Sequence, residues 1–112
     1  MKLQCACGAL IYDIIDSQPN KAMVVPDQEW LEILDLLHDS ICDPPPTIAE
    51  RKQAYRTVFA AIMNVGRRAW QCDSCGRVYL DDRQYNAHGF APDSTEIPRE
   101  IFRSRPQLND SV

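Results

Sequence analysis

Trp70-Gln-Cys72-Asp-Ser-Cys75-Gly76-Arg-Val-Tyr79 decides how this chain folds, read together with Cys5-Ala-Cys7-Gly8 near the other end. Cys72-x-x-Cys75 lets one tight turn aim two sulfurs at a single ion, and Gly76 can take the positive φ that such a turn often needs. Cys5-x-Cys7-Gly8 is a shorter half-site of the same kind. A structural zinc ion takes four thiolates in a tetrahedron, so the spacing predicts one ion held by Cys5, Cys7, Cys72 and Cys75. Four thiolates also suit iron. The competing readings are unrelated thiol pairs, a disulfide, or a redox motif. A redox Cys-x-x-Cys opens a helix inside a βαβ pattern. Here Arg77-Val-Tyr-Leu80 follows and alternates as a strand does, which disfavours redox chemistry.

Cys5-Ala-Cys7-Gly8 and Cys72-Asp-Ser-Cys75-Gly76 resemble the two knuckles of the zinc ribbon (rubredoxin-like) superfamily. The resemblance covers only the two ends of a core of roughly eighty residues. It implies a small antiparallel sheet clasped by zinc. It implies no single activity, because ribbons serve in transcription, in ribosomes, as enzyme appendages and as protein-binding modules. The long segment between the knuckles departs from a plain ribbon.

At 112 residues the chain is sized for one domain with a modest core. No apolar run approaches the ~20 residues of a membrane span. Met1-Lys-Leu-Gln-Cys5 has no apolar core of a signal peptide, so a reducing cytoplasm is expected, where clustered thiols favour metal over disulfide. The net charge of −4 is uneven: residues 1–50 carry two basic and nine acidic side chains, and residues 51–112 ten and seven. An acidic front half argues against general nucleic-acid binding and for a basic partner; the plainer reading is a solvated helix face.

Ala9–Asp13 reads as a strand leaving the first knuckle, and Lys21–Val25 as a second strand. Asp27 is a candidate N-cap for a helix in which Trp30, Ile33, Leu34, Leu37 and Ile41 recur at helical spacing, predicting a core-facing stripe. Glu32, Asp35, Asp39 and Asp43 form an acidic stripe. Asp43-Pro44-Pro45-Pro46 ends that helix near Cys42. Thr47-Ile-Ala-Glu50 is a capping-box pattern opening a second helix to about Asn64, with Ile48, Tyr55, Val58, Phe59 and Ile62 predicted inside and Gly66 as its C′ stop. Arg67–Gln71 and Arg77–Leu80 read as strands flanking the second knuckle. Tyr85 and Phe90 are expected to pack on the ribbon, Glu96–Arg103 to form a short helix, and the last residues to be loose. The architecture is therefore α+β: a zinc-ribbon domain over 1–90, a helical hairpin inserted at 27–65, and a partly ordered extension over 91–112.

The functional readings follow from what the site excludes. The sequence has no HExxH, phosphate loop, GxSxG, or H-x-E with P-C-x-x-C. Four thiolates close a zinc shell and leave no position for a catalytic water. The expectation is a protein that is not an enzyme, carries one structural zinc, and binds a protein partner through the acidic helix at Glu32, Asp35 and Asp39. An inhibitor or immunity protein neutralising a basic toxin is the sharper form of that reading. The alternative is a nucleic-acid-binding ribbon using Arg67, Arg68, Arg77 and Tyr79, with bases stacking on aromatics. A redox thiol accessory is the third. Cys42 reads as a half-buried apolar residue. His38 lacks third and fourth ligands for a second metal. His88 reads as a loop residue that could bond a ligand sulfur.

Overall fold

Each cysteine pair sits in a turn between two short strands, and those strands build the sheets. The computed structural model describes residues 1–15, 17–96 and 98–103. Lys2–Gln4 (β1) and Leu10–Tyr12 (β2) flank the first pair and run antiparallel, with Leu3 opposite Ile11. Arg67–Gln71 (β4) and Val78–Asp81 (β5) flank the second, with Trp70 opposite Tyr79. Lys21–Val24 (β3) and Ala87–Phe90 (β6) complete a four-stranded sheet in the order β3-β4-β5-β6. The expected α+β class holds, with two helices and two small antiparallel sheets. The chain divides into two compact units, Met1–Met23 with Arg68–Val112, and Val24–Arg67.

The core of the first unit is small and gathers around the thiols. Cys5, Ile11, Trp70, Cys72 and Tyr79 are buried together, with Leu3, Ala9, Cys75 and Ala87 packed against them. Strand alternation explains the selection: Ile11 points inward while Leu10 and Tyr12 face solvent. The Asp13 carboxylate ties β2, β3 and β4 together. It accepts from Lys21 Nζ at 2.8 Å and from Trp70 Nε1 at 3.1 Å, with Arg68 Nη1 at 4.0 Å. Burial alone would raise its pKa; the bonds from Lys21 and Trp70 and the Lys21 and Arg68 charges outweigh that and lower it. A depressed carboxylate contributes stability above its unfolded pKa of about 3.9, lost as pH falls through the lower folded value. Asp13→Asn is expected to destabilise by about 1–3 kcal/mol at neutral pH. The gap from wild type should narrow below about pH 4, which denaturant titrations at both pH values would test.

Gln71 is fully buried and polar, and its amide explains how the C-terminal segment is held. Nε2 donates to Gly76 O at 3.3 Å and Pro98 O at 3.0 Å, and Oε1 accepts from Ile101 N at 2.9 Å. Arg99 also donates to the Ser74 carbonyl. Gln71→Leu removes all three amide bonds and is expected to release this segment. Trypsin should then cut at Arg99 and Arg103 at least tenfold faster, a change of about 1.4 kcal/mol in local opening.

The second unit is a hairpin of Asp27–Cys42 (α1) and Ile48–Val65 (α2). The Asp43–Pro46 break ends α1 at Cys42 as expected, and Thr47 Oγ1 accepts from the Glu50 N–H at 3.2 Å. Several expectations change here. Pro26, not Asp27, occupies the N-cap position, with no side-chain bond; Asp27 is already helical. Gly66 caps α2 in an extended conformation, φ −69°, its N–H reaching Ile62 O, so no left-handed glycine is used. Most consequentially, the apolar stripes are not buried. Only Ile33 and Val58 are buried and Ile62 is half-buried, while Trp30, Leu34, Leu37, Ile41, Ile48, Tyr55 and Phe59 are exposed. Two helices enclose no interior; each can cover only one flank of the other.

The C-terminal half also differs from expectation. His88 lies in β6 rather than a loop, opposite Leu80. Tyr85 is 82% exposed at the tip of the β5–β6 turn with φ 62°, and Phe90 is exposed as well; neither packs on the sheet. Residues 99–102 form turns, not a helix. Ile97 and the expected loose tail over 104–112 lie outside the described residues. Among the described residues no helix is long and apolar enough to cross a membrane.

Candidate metal centre

The two cysteine turns are built alike. In the first, Cys5 N–H donates to Ala9 O at 2.9 Å and Gly8 N–H returns to Cys5 O at 3.0 Å. In the second, Cys72 N–H donates to Arg77 O at 2.8 Å and Gly76 N–H returns to Cys72 O at 2.8 Å. The second turn is one residue longer, which is the difference between Cys-x-Cys and Cys-x-x-Cys. Gly8 and Gly76 take φ 98° and 84°, where an L side chain is strained. Neither glycine is there for lack of room: an added Cβ at Gly8 meets nothing within 4 Å, and at Gly76 its nearest neighbour would be Arg99 at 3.6 Å.

These turns meet. The sulfurs of Cys5, Cys7, Cys72 and Cys75 all lie within 4.8 Å of one another. Cys5 Sγ is 3.5 Å from Cys75 Sγ, and Cys7 Sγ is 3.7 Å from Cys72 Sγ. A tetrahedral zinc with Zn–S near 2.3 Å needs sulfur–sulfur edges of about 3.8 Å, so the donor set fits a four-thiolate ion. No other cluster of three or more such ligands occurs among the described residues.

The family can now be stated. Residues 1–103 match the model described as Domain of unknown function (DUF8617). The chain belongs to that family. No curated protein and no solved structure matches it. In this DUF8617 chain the cysteine cluster joins parts of the sequence more than sixty residues apart, as Cys7 and Cys72 show.

The surroundings divide the four thiols. Burial would raise the pKa of Cys5, but the Cys7 backbone N–H and the Tyr79 hydroxyl outweigh it and hold the thiol down at about 6. Cys75 is lowered by the Arg77 backbone N–H and by Arg77 Nη1, 3.4 Å from its sulfur. Burial pushes Cys72 up to about 12, only partly offset by the backbone N–H groups of Cys75 and Ser74. Cys72 therefore keeps its proton unless a cation displaces it, and metal uptake here releases protons. Tyr79 links the two turns: its hydroxyl accepts from Ala6 N–H at 2.9 Å and bonds Cys5. Such outer partners fix the ligands' orientation. Sequence reading placed Tyr79 among nucleic-acid contacts and missed this role; its position one strand residue from the knuckle was the available signal.

The remaining candidates are placed elsewhere. Arg68 is held by Asp81 at 3.3 Å and lies over the Trp70 ring at 5.3 Å; Arg77 is held at Cys75. Trp70 is 0% exposed and Tyr79 is buried, so neither offers a ring face for stacking. Arg67 is half-buried in β4. Glu32, Asp35 and Asp39 are exposed on α1. Cys42 is exposed rather than buried or half-buried, and His38 is exposed beside Asp39. His88 bonds Asp82 at 2.8 Å and no ligand sulfur; that bond and the Asn86 and Gln84 amides hold Asp82 at about 2.

Proposed function

We propose that this chain is a non-catalytic zinc-ribbon protein of the cytoplasm, in which one structural zinc clasps the sheets and α1 engages a basic protein partner. The observation that carries the reading is the four-sulfur cluster, spaced as a closed tetrathiolate shell is. A shell filled by protein leaves no coordination position for substrate or water. The paired knuckles, each in a β-turn-β unit, support the ribbon resemblance. The partner surface is Glu32, Asp35 and Asp39, all exposed on a helix that has no Lys or Arg. An inhibitor or immunity protein against a basic nuclease-type toxin is the sharper form of the proposal, since electrostatic complementarity of that kind gives fast association.

Two measurements test this. Elemental analysis of the purified protein is expected to give about one zinc per chain, as a four-ligand structural site takes. Iron in its place, or no metal, overturns the zinc assignment. Affinity capture with Glu32→Lys, Asp35→Lys and Asp39→Lys combined should lose a basic partner retained by wild type. Equal capture by both rejects the acidic surface.

A further inference from the structure

The four sulfurs of the cluster are not equally protected. Cys5 and Cys72 are buried, Cys75 is half-buried and Cys7 is exposed. The turn that carries Cys7 stands clear of the fold: Ala6 and Gly8 are exposed too, and a Cβ at Gly8 would find no atom within 4 Å. Hydrogen bonding divides the sulfurs the same way. Cys5 is bonded by the Tyr79 hydroxyl, Cys75 lies 3.4 Å from the donor Arg77 Nη1, and Cys72 is served by the backbone N–H groups of Cys75 and Ser74. Among the described residues no N–H or O–H donor reaches Cys7 Sγ, whose neighbour at 3.7 Å is the sulfur of Cys72.

Both differences act on one property. A thiolate attacks through a sulfur lone pair; a donor bonded to that sulfur draws on the same electrons, and burial keeps an electrophile out of reach. Cys7 has neither protection. We propose that Cys7 is a modification site for soft carbon electrophiles, and that its alkylation opens the metal clasp. The proposal rests on the metal-bound reading of the cluster given above. In the step, the Cys7 thiolate attacks an electrophilic carbon. The S–C bond forms, the bond from that carbon to its leaving group breaks, and the leaving group departs with the electron pair. No proton moves, and nothing is oxidised beyond the alkylating agent's own exchange of leaving group for sulfur. The product is a neutral thioether. Thiolate is the form in which cysteine holds a metal, so the modified side chain no longer supplies its bond. Cys5, Cys72 and Cys75 remain, three ligands where a closed structural shell takes four. The ion is then released and the unit opens. At the buried Cys72 an electrophile can react only after the unit has opened; at Cys7 reaction comes first and opening follows.

Iodoacetamide alkylation of the full-length, metal-loaded chain tests this, in a Cys42→Ser background that removes the exposed thiol outside the cluster. Peptide mapping at low conversion is expected to find the first adduct on Cys7, favoured about tenfold or more over any other ligand. The metal content of the desalted protein should fall in step with Cys7 alkylation, by about one ion per adduct. Arg77→Ala, which strips the guanidinium donor from Cys75, should raise alkylation there by about threefold or more and leave the Cys7 rate unchanged. First reaction at another ligand, equal rates at all four, or a chain that keeps its ion after Cys7 is alkylated overturns the proposal. A Cys75 rate that Arg77→Ala does not move overturns the role given to the donors. Because the ion is measured before any reagent is added, a chain without metal marks failure of the metal reading, and a loaded chain that reacts elsewhere marks failure of this one.

Discussion

Cys72→Ser is expected to strip the metal from the chain and unfold the unit that contains both sheets. Cys72 is fully buried, its sulfur sits 3.7 Å from Cys7 Sγ, and its neighbours Gln71 and Trp70 are the other fully buried large side chains. Loss of one ligand is therefore expected to release the ion and to open the buried cluster of Cys5, Ile11, Trp70, Cys72 and Tyr79 at its centre. Structural zinc sites contribute apparent binding free energies of about 10–16 kcal/mol, while whole domains of this size are stable by about 5–15 kcal/mol. A metal contribution of that size would match the stability itself, so the unit is expected to unfold without its ion. Metal content should fall from about one ion per chain to below about one tenth. Trp70 reports the fold: in a Trp30→Phe background its emission should shift to the red as a 0% exposed indole reaches water. Chelation of wild type should reproduce both changes, and Cys42→Ser, at an exposed thiol, should cause neither. A Cys72→Ser protein that keeps its metal or its buried Trp70 would contradict the assignment.

The two cysteine turns were legible because their signal is local. Cys-x-x-Cys-Gly and Cys-x-Cys-Gly each specify a turn within five residues, and those turns are present. What brings them together was not legible. The tie runs through Ile11, Trp70 and Tyr79 and through Asp13 reaching Lys21 and Trp70, and pairings of that span leave no mark in sequence periodicity. Strands β1 and β6 escaped notice because four residues or fewer cannot display alternation convincingly. The helices were read correctly as helices and misread as core. A stripe at helical spacing says that a face is apolar; it does not say what covers it. Here Ile33 and Val58 are buried and the larger side chains are exposed. Amphipathicity that outruns the hairpin's own capacity to bury it is the feature that sequence reading assigned to the interior.

Tyr79 leaves no room for a side chain at Gly89. Tyr79 pairs with Gly89 across β5 and β6. A Cβ on Gly89 would stand 2.7 Å from Tyr79 Cε1, closer than Cβ atoms come to other atoms, and a tight 3.2 Å from Cζ. The ring cannot swing aside freely, because it is buried and its hydroxyl holds Ala6 N–H and Cys5. Gly89→Ala is therefore expected to destabilise by about 1–3 kcal/mol through overpacking, although position 89 itself is exposed. The effect should reach the metal: displacing Tyr79 frees Ala6 and Cys5, and loss of such an outer partner typically weakens metal binding about 10–100-fold. Competition with a zinc-sensitive chelator would read that change. Tyr79→Phe, which removes only the hydroxyl, should share the metal effect without the clash. The decisive comparison is Gly89→Ala in a Tyr79→Ala background, where the space is already empty. If the ring is the obstacle, the added methyl group costs little there, and the two changes couple by more than about 1 kcal/mol. Equal costs in both backgrounds would mean that Gly89 is chosen for its own strand and that Tyr79 does not transmit its packing to the first knuckle.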